Sequence, residues 1–356
     1  MVGLKVLHCI HSLYGGGAET QLRIVVEESD KYDFSSAVTC FDDADGMYLP
    51  ESVKFVSPHS FKNVIKSYKF YVDTIKDYDP DIVHVWLPAP VTVPAMLAAK
   101  KMNKKIVFSY RNRMFFYSFK IYIEFIFALI FSNRIVSNNP ISQSSFLFRC
   151  LANIKRAVEI PNAISVAIDG QWCASHNADG LKFFYAGRLT EQKNVSYLLD
   201  ALSNLNARNW SLTVCGQGED ETALKKQCSD LGLDHKITFL GYREDVHKLM
   251  LQHDLLIIPS KFEGMPNIVA EAMKVGLPCL LSDIPAHRWI VSDYKIPLFS
   301  LSDNQSLVRV IEEVFCGKID LNEISKAELL RANDFSVAKL MSSYEKFYSD
   351  VLGARS

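Results

Sequence analysis

Short apolar runs with the period of strands alternate with helical patterns along nearly all of this 356-residue chain, and that alternation limits the fold more than any other feature. In the first half Lys5–His11, Ser35–Phe41, Asp81–Trp86, Lys105–Tyr110, Arg134–Asn139 and Ala157–Pro161 read as strands. Helical patterns fall near Ala18–Ser29, Phe61–Tyr78, Val91–Met102 and Arg113–Phe131. Repeated β-α units of this kind predict a parallel sheet covered on both faces. A polar stretch without clear period, Asn162–Gly180, interrupts the series. It then resumes with strands at Lys182–Ala186, Ser211–Cys215, Lys236–Leu240 and Asp254–Ser260, and turns helical after Ser302. The chain is long for one core, so two domains are expected. The fold class is α/β, with Rossmann-like domains over 1–162 and 163–334 and a closing helix within 335–356. Open α/β sheets bind ligands outside the carboxyl ends of their strands, which makes a cleft between the halves the default site.

Hydrophobic residues at 49% and charged residues at 22% describe a soluble globular protein, and a net charge of -1 gives no reason to expect nucleic acid. The eight cysteines are scattered without a C-x-x-C, which points to a reducing compartment and away from zinc. The opening MVGLKVLHCIH enters a strand pattern directly and does not read as a signal peptide. Phe115–Phe131 is broken by Lys120 and Glu124, so it does not meet the requirement for a membrane span. Between Lys54 and Lys120, however, 12 Lys/Arg stand against four Asp/Glu, a net +8, beside the aromatic run Arg111–Phe131. Basic and aromatic residues together suit peripheral contact with an anionic membrane face. The expected arrangement keeps Phe115–Phe131 mostly in the core, with its aromatic N-terminal end and the lysines toward lipid.

Three loops carry candidate chemistry. Pro259–Asp283 reads as strand, loop, helix and strand, with Pro266 where the helix starts and Gly276 where it stops. The N–H groups of Gly264, Met265, Asn267 and Ile268 would form an anion site there, with Glu263 and Glu271 on either side. In Ala186–Leu202, Arg188 and Lys193 follow a strand end and precede a helix, as a diphosphate site would require. In His11–Gln21 three glycines let backbone approach a phosphate. That loop does not match the dinucleotide fingerprint, because Thr20 occupies the third glycine position, and the chain contains no P-loop. Each feature has an ordinary alternative: a tight turn, two solvated cations, a dipole-facing Glu. The D-x-D matches at Asp43–Asp45, Asp77–Asp79 and Asp79–Asp81 are short enough to occur without binding metal, and no metal is expected.

Gly15-Gly16-Gly17, Gly187-Arg188-Leu189…Lys193-Asn194, Gly216-Gln217-Gly218 and Glu263-Gly264-Met265-Pro266-Asn267…Glu271-Ala272 together resemble glycosyltransferase family 4, and the similarity spans almost the whole chain, including Pro161-Asn162. The resemblance implies a retaining enzyme of GT-B fold, two Rossmann-like domains facing a central cleft, with the final helix crossing back to the first domain. It implies that Arg188 and Lys193 hold and stabilise the leaving diphosphate, that Glu271 holds the ribose, and that Glu263 contacts the donor sugar. It further implies that the Gly264–Ile268 backbone holds sugar and phosphate, that Gly16 and Gly17 close over the diphosphate, and that Gly216 and Gly218, with Leu240–Arg243, border the base. Many family members have a histidine after the strand that here reads KIVFSYRN; this chain has Ser109, Tyr110, Arg111 and Asn112. His11 and His84 lie near strand ends and could stand in, although a satisfied core or loop histidine is the plainer reading.

The expected activity is metal-independent transfer from a nucleotide sugar, a UDP-sugar by preference, to a lipid-linked saccharide at the inner face of the cytoplasmic membrane, in envelope polysaccharide assembly. Competing readings are a nucleotide-sugar 2-epimerase of the same fold and a non-catalytic sugar-nucleotide-binding subunit. A dehydrogenase is more remote.

Overall fold

The computed structural model describes residues 3–13, 17–41, 54–56, 63–87, 92–111, 119–138, 140, 149–150, 153–165, 170–173, 180–205 and 208–353. The chain divides into two compact units: Met1–Ala163 with Val337–Ser356, and Ile164–Ser336.

The first unit is built on the strands β1 (Leu4–Cys9), β2 (Phe34–Cys40), β3 (Lys54–Val56), β4 (Ile82–Trp86), β5 (Lys105–Tyr110), β6 (Arg134–Ser137) and β7 (Val158–Glu159). They form a parallel sheet in the order β3-β2-β1-β4-β5-β6-β7. Every residue of β4 is buried, as a strand covered on both faces requires. The helices are α1 (Gly17–Glu28), α2 (Val64–Tyr78), α3 (Thr92–Lys101) and α4 (Phe119–Phe131). In α4 Phe125, Ala128 and Leu129 are buried while Ile123 and Ile130 are exposed, so the described part of this helix is only half core. Residues 112–118, where the aromatic N-terminal end was expected, lie outside the described residues, as do Gly16 and Asp43–Asp45.

The last helix, Val337–Leu352, packs on this first sheet and buries Tyr344 and Tyr348 completely. Tyr348 Oη lies 2.8 Å from His84 Nδ1, and His84 Nε2 lies 2.8 Å from Ser109 Oγ. Burial holds His84 well below its ordinary range and lowers His8 to about 3. Both rings are therefore neutral core groups, and His84 does not supply a reactive histidine.

The second unit contains β8 (Leu181–Ala186), β9 (Trp210–Cys215), β10 (Ile237–Gly241), β11 (Leu255–Ile258), β12 (Cys279–Ser282) and β13 (Leu298–Phe299), parallel in the order β10-β9-β8-β11-β12-β13. Its helices are α5 (Val195–Ser203), α6 (Glu221–Asp230), α7 (Val246–Met250), α8 (Asn267–Val275), α9 (Pro285–Val291), α10 (Ser306–Phe315) and α11 (Leu321–Ala332). Leu198, Leu199 and Leu202, at helical spacing along α5, are fully buried against the sheet.

Helix α11 is tied to the loop between α8 and β12 by two buried contacts. Ser325 Oγ donates to Gly276 O at 2.6 Å, and Glu328 Oε1 accepts from Cys279 N at 2.9 Å. Complete burial pushes the Glu328 carboxyl well above its ordinary range. A raised carboxyl contributes stability below its unfolded value and loses it as pH rises through the folded value. Glu328→Gln retains the acceptor and removes the ionisation. Melting temperatures across pH 5 to 9 are expected to show the variant gaining on the parent as pH rises; a constant difference would mean that Glu328 binds no more protons in the folded chain than in the unfolded one, so that its carboxyl is not raised.

Candidate active site

The second unit gathers its candidate residues at the carboxyl ends of its parallel strands. The loop after β8 carries Gly187, Arg188 and Lys193, and the loop after β11 carries Glu263 through Pro266. Backbone and side-chain bonds join these loops: Lys261 N donates to Gln192 O at 2.9 Å, Gln192 Nε2 to Phe262 O at 2.9 Å, and Asn194 Nδ2 to Pro259 O at 3.2 Å. Asn194 adopts the left-handed conformation, φ 57°, that turns the chain from this loop into α5. The result is close approach of two residues 70 positions apart. Lys193 Nζ donates to Glu263 Oε1 at 2.6 Å, with the side chains only 16% and 7% exposed.

Glu263 is held from below as well. Ser260 Oγ donates to the same Oε1 at 2.6 Å, and Ser282 Oγ donates to Ser260 O at 2.6 Å. His287 Nδ1 lies 2.8 Å from Ser282 O, so that nitrogen carries the proton. Burial lowers His287 to about 4 and keeps it neutral. Glu263 is thus oriented by fixed groups on the ends of β11 and β12.

A cavity of about 420 Å³ opens beside this pair. Arg188, Lys193, Gly216, Glu263, Met265, Pro266, Asn267 and Ile268 line it, together with Gly187, Cys215, Gln217, Tyr242, Arg243 and Val246. Arg243 is engaged by Asp245 through two bonds of 2.7 and 2.6 Å. Three cations, of which Lys193 and Arg243 are paired with Glu263 and Asp245, one carboxylate and the start of a helix therefore line one cavity, an arrangement suited to a diphosphate with polar groups attached.

Several expected residues are placed differently from their sequence-based assignment. Helix α8 begins at Asn267, so Pro266 is the residue before it, and Gly276 closes it in the left-handed conformation, φ 82°. Asn267 N donates to Met265 O at 3.0 Å, so this N–H is used within the loop. Gly264 lies between lining residues. Glu271 stands one turn beyond Asn267, outside the lining, with Oε2 3.0 Å from His247 Nε2. Gly218 serves packing, since a Cβ there would meet Leu189 O at 2.1 Å. Gly17 is the exposed first residue of α1, in the other unit.

Arg111, in the stretch Ser109–Asn112 that lacks a histidine, is buried in the first unit. Its guanidinium lies 4.1 Å from the centre of the Trp86 ring and donates to Asn162 Oδ1 at 2.8 Å and Tyr344 Oη at 2.7 Å. These bonds tie β5 to the end of the first unit and to its last helix. Sequence reasoning missed His247, His287, Val246 and Cys215. Of these, only His287 had a local signal near it, the Pro285 in the first turn of α9.

Among the described residues no group of three or more His, Cys, Asp or Glu could hold a metal ion. Of the D-x-D aspartates, Asp79 pairs with Lys104 at 2.6 Å and Asp81 accepts from Lys5 N at 2.9 Å.

Residues 173–328 match the family model described as Glycosyl transferases group 1. The chain is 29% identical over 177 residues to the UDP-Gal:alpha-D-GlcNAc-diphosphoundecaprenol alpha-1,3-galactosyltransferase of Escherichia coli, a match covering 48% of this chain and less than half, 46%, of that one. It is 27% identical over 333 residues to the lipopolysaccharide 1,6-galactosyltransferase of Escherichia coli strain K12, covering 86% and 87%. The crystal structure of Anabaena Alr3699/HepE in complex with UDP superposes with a TM-score of 0.78 at 19% identity, covering 98% of this chain and 100% of that one. That likeness shows the fold, GT-B.

Proposed function

We propose that the chain, whose residues 173–328 match the group 1 glycosyl transferases and whose fold is GT-B, is a retaining, metal-independent glycosyltransferase using a UDP-sugar. The acceptor we assign is a hydroxyl of a lipid-linked saccharide in lipopolysaccharide or exopolysaccharide assembly. The observation that carries the reading is the convergence of Arg188 and Lys193 on one cavity with Glu263 and the start of α8. The galactosyltransferase relatives support a UDP-hexose donor and a lipid-carried acceptor.

In this mechanism the bond from the sugar C1 to the diphosphate oxygen breaks while the acceptor oxygen bonds to C1 on the same face. The acceptor proton passes to the leaving diphosphate. Charge develops on that leaving group, and Arg188 and Lys193 stabilise it in a site partly shielded from water. Glu263 orients the sugar hydroxyls, Glu271 the ribose, and Gly216 and Tyr242 border the base. The basic first unit, with exposed Ile65, Ile123 and Ile130, supports peripheral docking on the anionic cytoplasmic leaflet; among the described residues no helix is long and apolar enough to cross a membrane.

The test is a thermal-shift panel of nucleotides followed by transfer to a lipid-diphosphate-linked sugar in anionic vesicles. A UDP-sugar at one hundred times its Kd is expected to stabilise the chain by about 2.7 kcal/mol. Silence to every nucleotide would overturn the reading; donor conversion without an acceptor would favour an epimerase.

A further inference from the structure

The nucleotide cavity has a side wall that none of the expected site residues explains. Helix α7 contributes Val246 to the lining, and the next residue, His247, turns to α8. There its Nε2 lies 3.0 Å from Glu271 Oε2, joining the two helices across the wall. The side chains of His247 and Glu271 are 29% and 27% exposed, so the contact is largely sheltered from solvent. A carboxylate has no proton to give, so His247 Nε2 bears the hydrogen and donates. Asn267, one turn before Glu271 on the same helix, lines the cavity, which sets the Glu271 carboxylate just beyond that wall.

We propose that His247 is a positioning residue for the nucleoside part of the donor. By fixing Oε2 it leaves Oε1 as the oxygen presented to the two ribose hydroxyls. The inference rests on the reading of this cavity as a nucleoside diphosphate site. An untethered Glu side chain would have to be ordered when the ligand arrives, and that ordering would subtract from affinity. A tethered one is already in place.

This predicts an effect that depends on the ligand's hydroxyls, which a merely structural contact would not produce. Calorimetric Kd values would be measured for UDP and for a UDP analogue lacking both ribose hydroxyls, on the parent chain, His247→Ala and His247→Gln. The parent is expected to prefer UDP. His247→Ala should weaken UDP about three- to tenfold while leaving the analogue nearly unchanged. His247→Gln, whose amide N–H can occupy nearly the same place, should restore most of the preference. Turnover at saturating donor should stay the same, so the loss falls in KM. Equal weakening of both ligands, or no change in either, overturns the role given to His247. Failure of the parent chain to bind UDP overturns the reading of the cavity itself, and this inference with it.

Discussion

Lys193→Ala is expected to lower turnover about 10²- to 10³-fold and to destabilise the second unit at the same time. The two losses have different origins. In the free chain Lys193 donates to Glu263 Oε1 at 2.6 Å, and the pair is nearly closed off from solvent. Removing the ammonium leaves a carboxylate that Ser260 alone partners among the bonds seen here. Breaking a buried pair on one side costs about 3–5 kcal/mol where burial is complete, and the partial exposure of Lys193 places this case toward the lower end. The ammonium has three N–H donors, so it can keep Glu263 and still reach a phosphate oxygen. Adding Glu263→Gln to Lys193→Ala, with Glu263→Gln alone as the reference for turnover, separates the effects. The double variant should recover most of the melting temperature, because no unpaired charge remains, while turnover stays low. Recovery of turnover together with stability would reduce Lys193 to a structural partner and remove it from the proposed mechanism.

That pair also marks how far the sequence can be read. Helix α8 was legible because its signals are local: Pro266 just ahead of it, Gly276 just after it, and a buried face including Val269, Ala270 and Met273 between them. The alternation of strands and helices was legible for the same reason. The bond from Lys193 to Glu263 was not. It depends on how Gln192 and Asn194 stitch two loops together through carbonyl oxygens, and such bonds leave no periodic trace. The contact of His247 with Glu271 is hidden likewise, since it needs α7 and α8 to lie side by side. Strands β3 and β13, of three and two residues, are too short to show a period. That Gly216 and Gly218 alike border the base was implied by the family resemblance. Only the structure separates Gly216, on the cavity wall, from Gly218, packed on Leu189.

Among the described glycines an added Cβ makes its closest approach at Gly216, and Gly216→Ala is expected to cost more stability than the same change at the others. Strand β9 ends at Cys215, and its neighbour β8 ends at Ala186, so Gly216 and Gly187 meet side by side where both chains leave the sheet. Gly187 N donates to Cys215 O at 3.0 Å and Gly216 N to Gly241 O at 2.7 Å, which fixes three adjacent strand ends. A Cβ on Gly216 would lie 1.9 Å from Gly187 O, a backbone atom with no rotamer to escape into. Its φ of +136° also lies in the region that residues with side chains rarely adopt. Overlap and backbone strain act together, and relief of either requires β8 and β9 to separate at the cavity. The expected loss is on the order of 3–5 kcal/mol. Gly232→Ala supplies the comparison: its φ of +69° is strained, but no atom lies within 4 Å of the added Cβ. That change should cost only about 1–2 kcal/mol, from the left-handed backbone alone. Urea unfolding of both variants tests the difference. Equal losses would mean that the strand ends yield easily, and the cavity wall they form would then be soft rather than preorganised for a diphosphate.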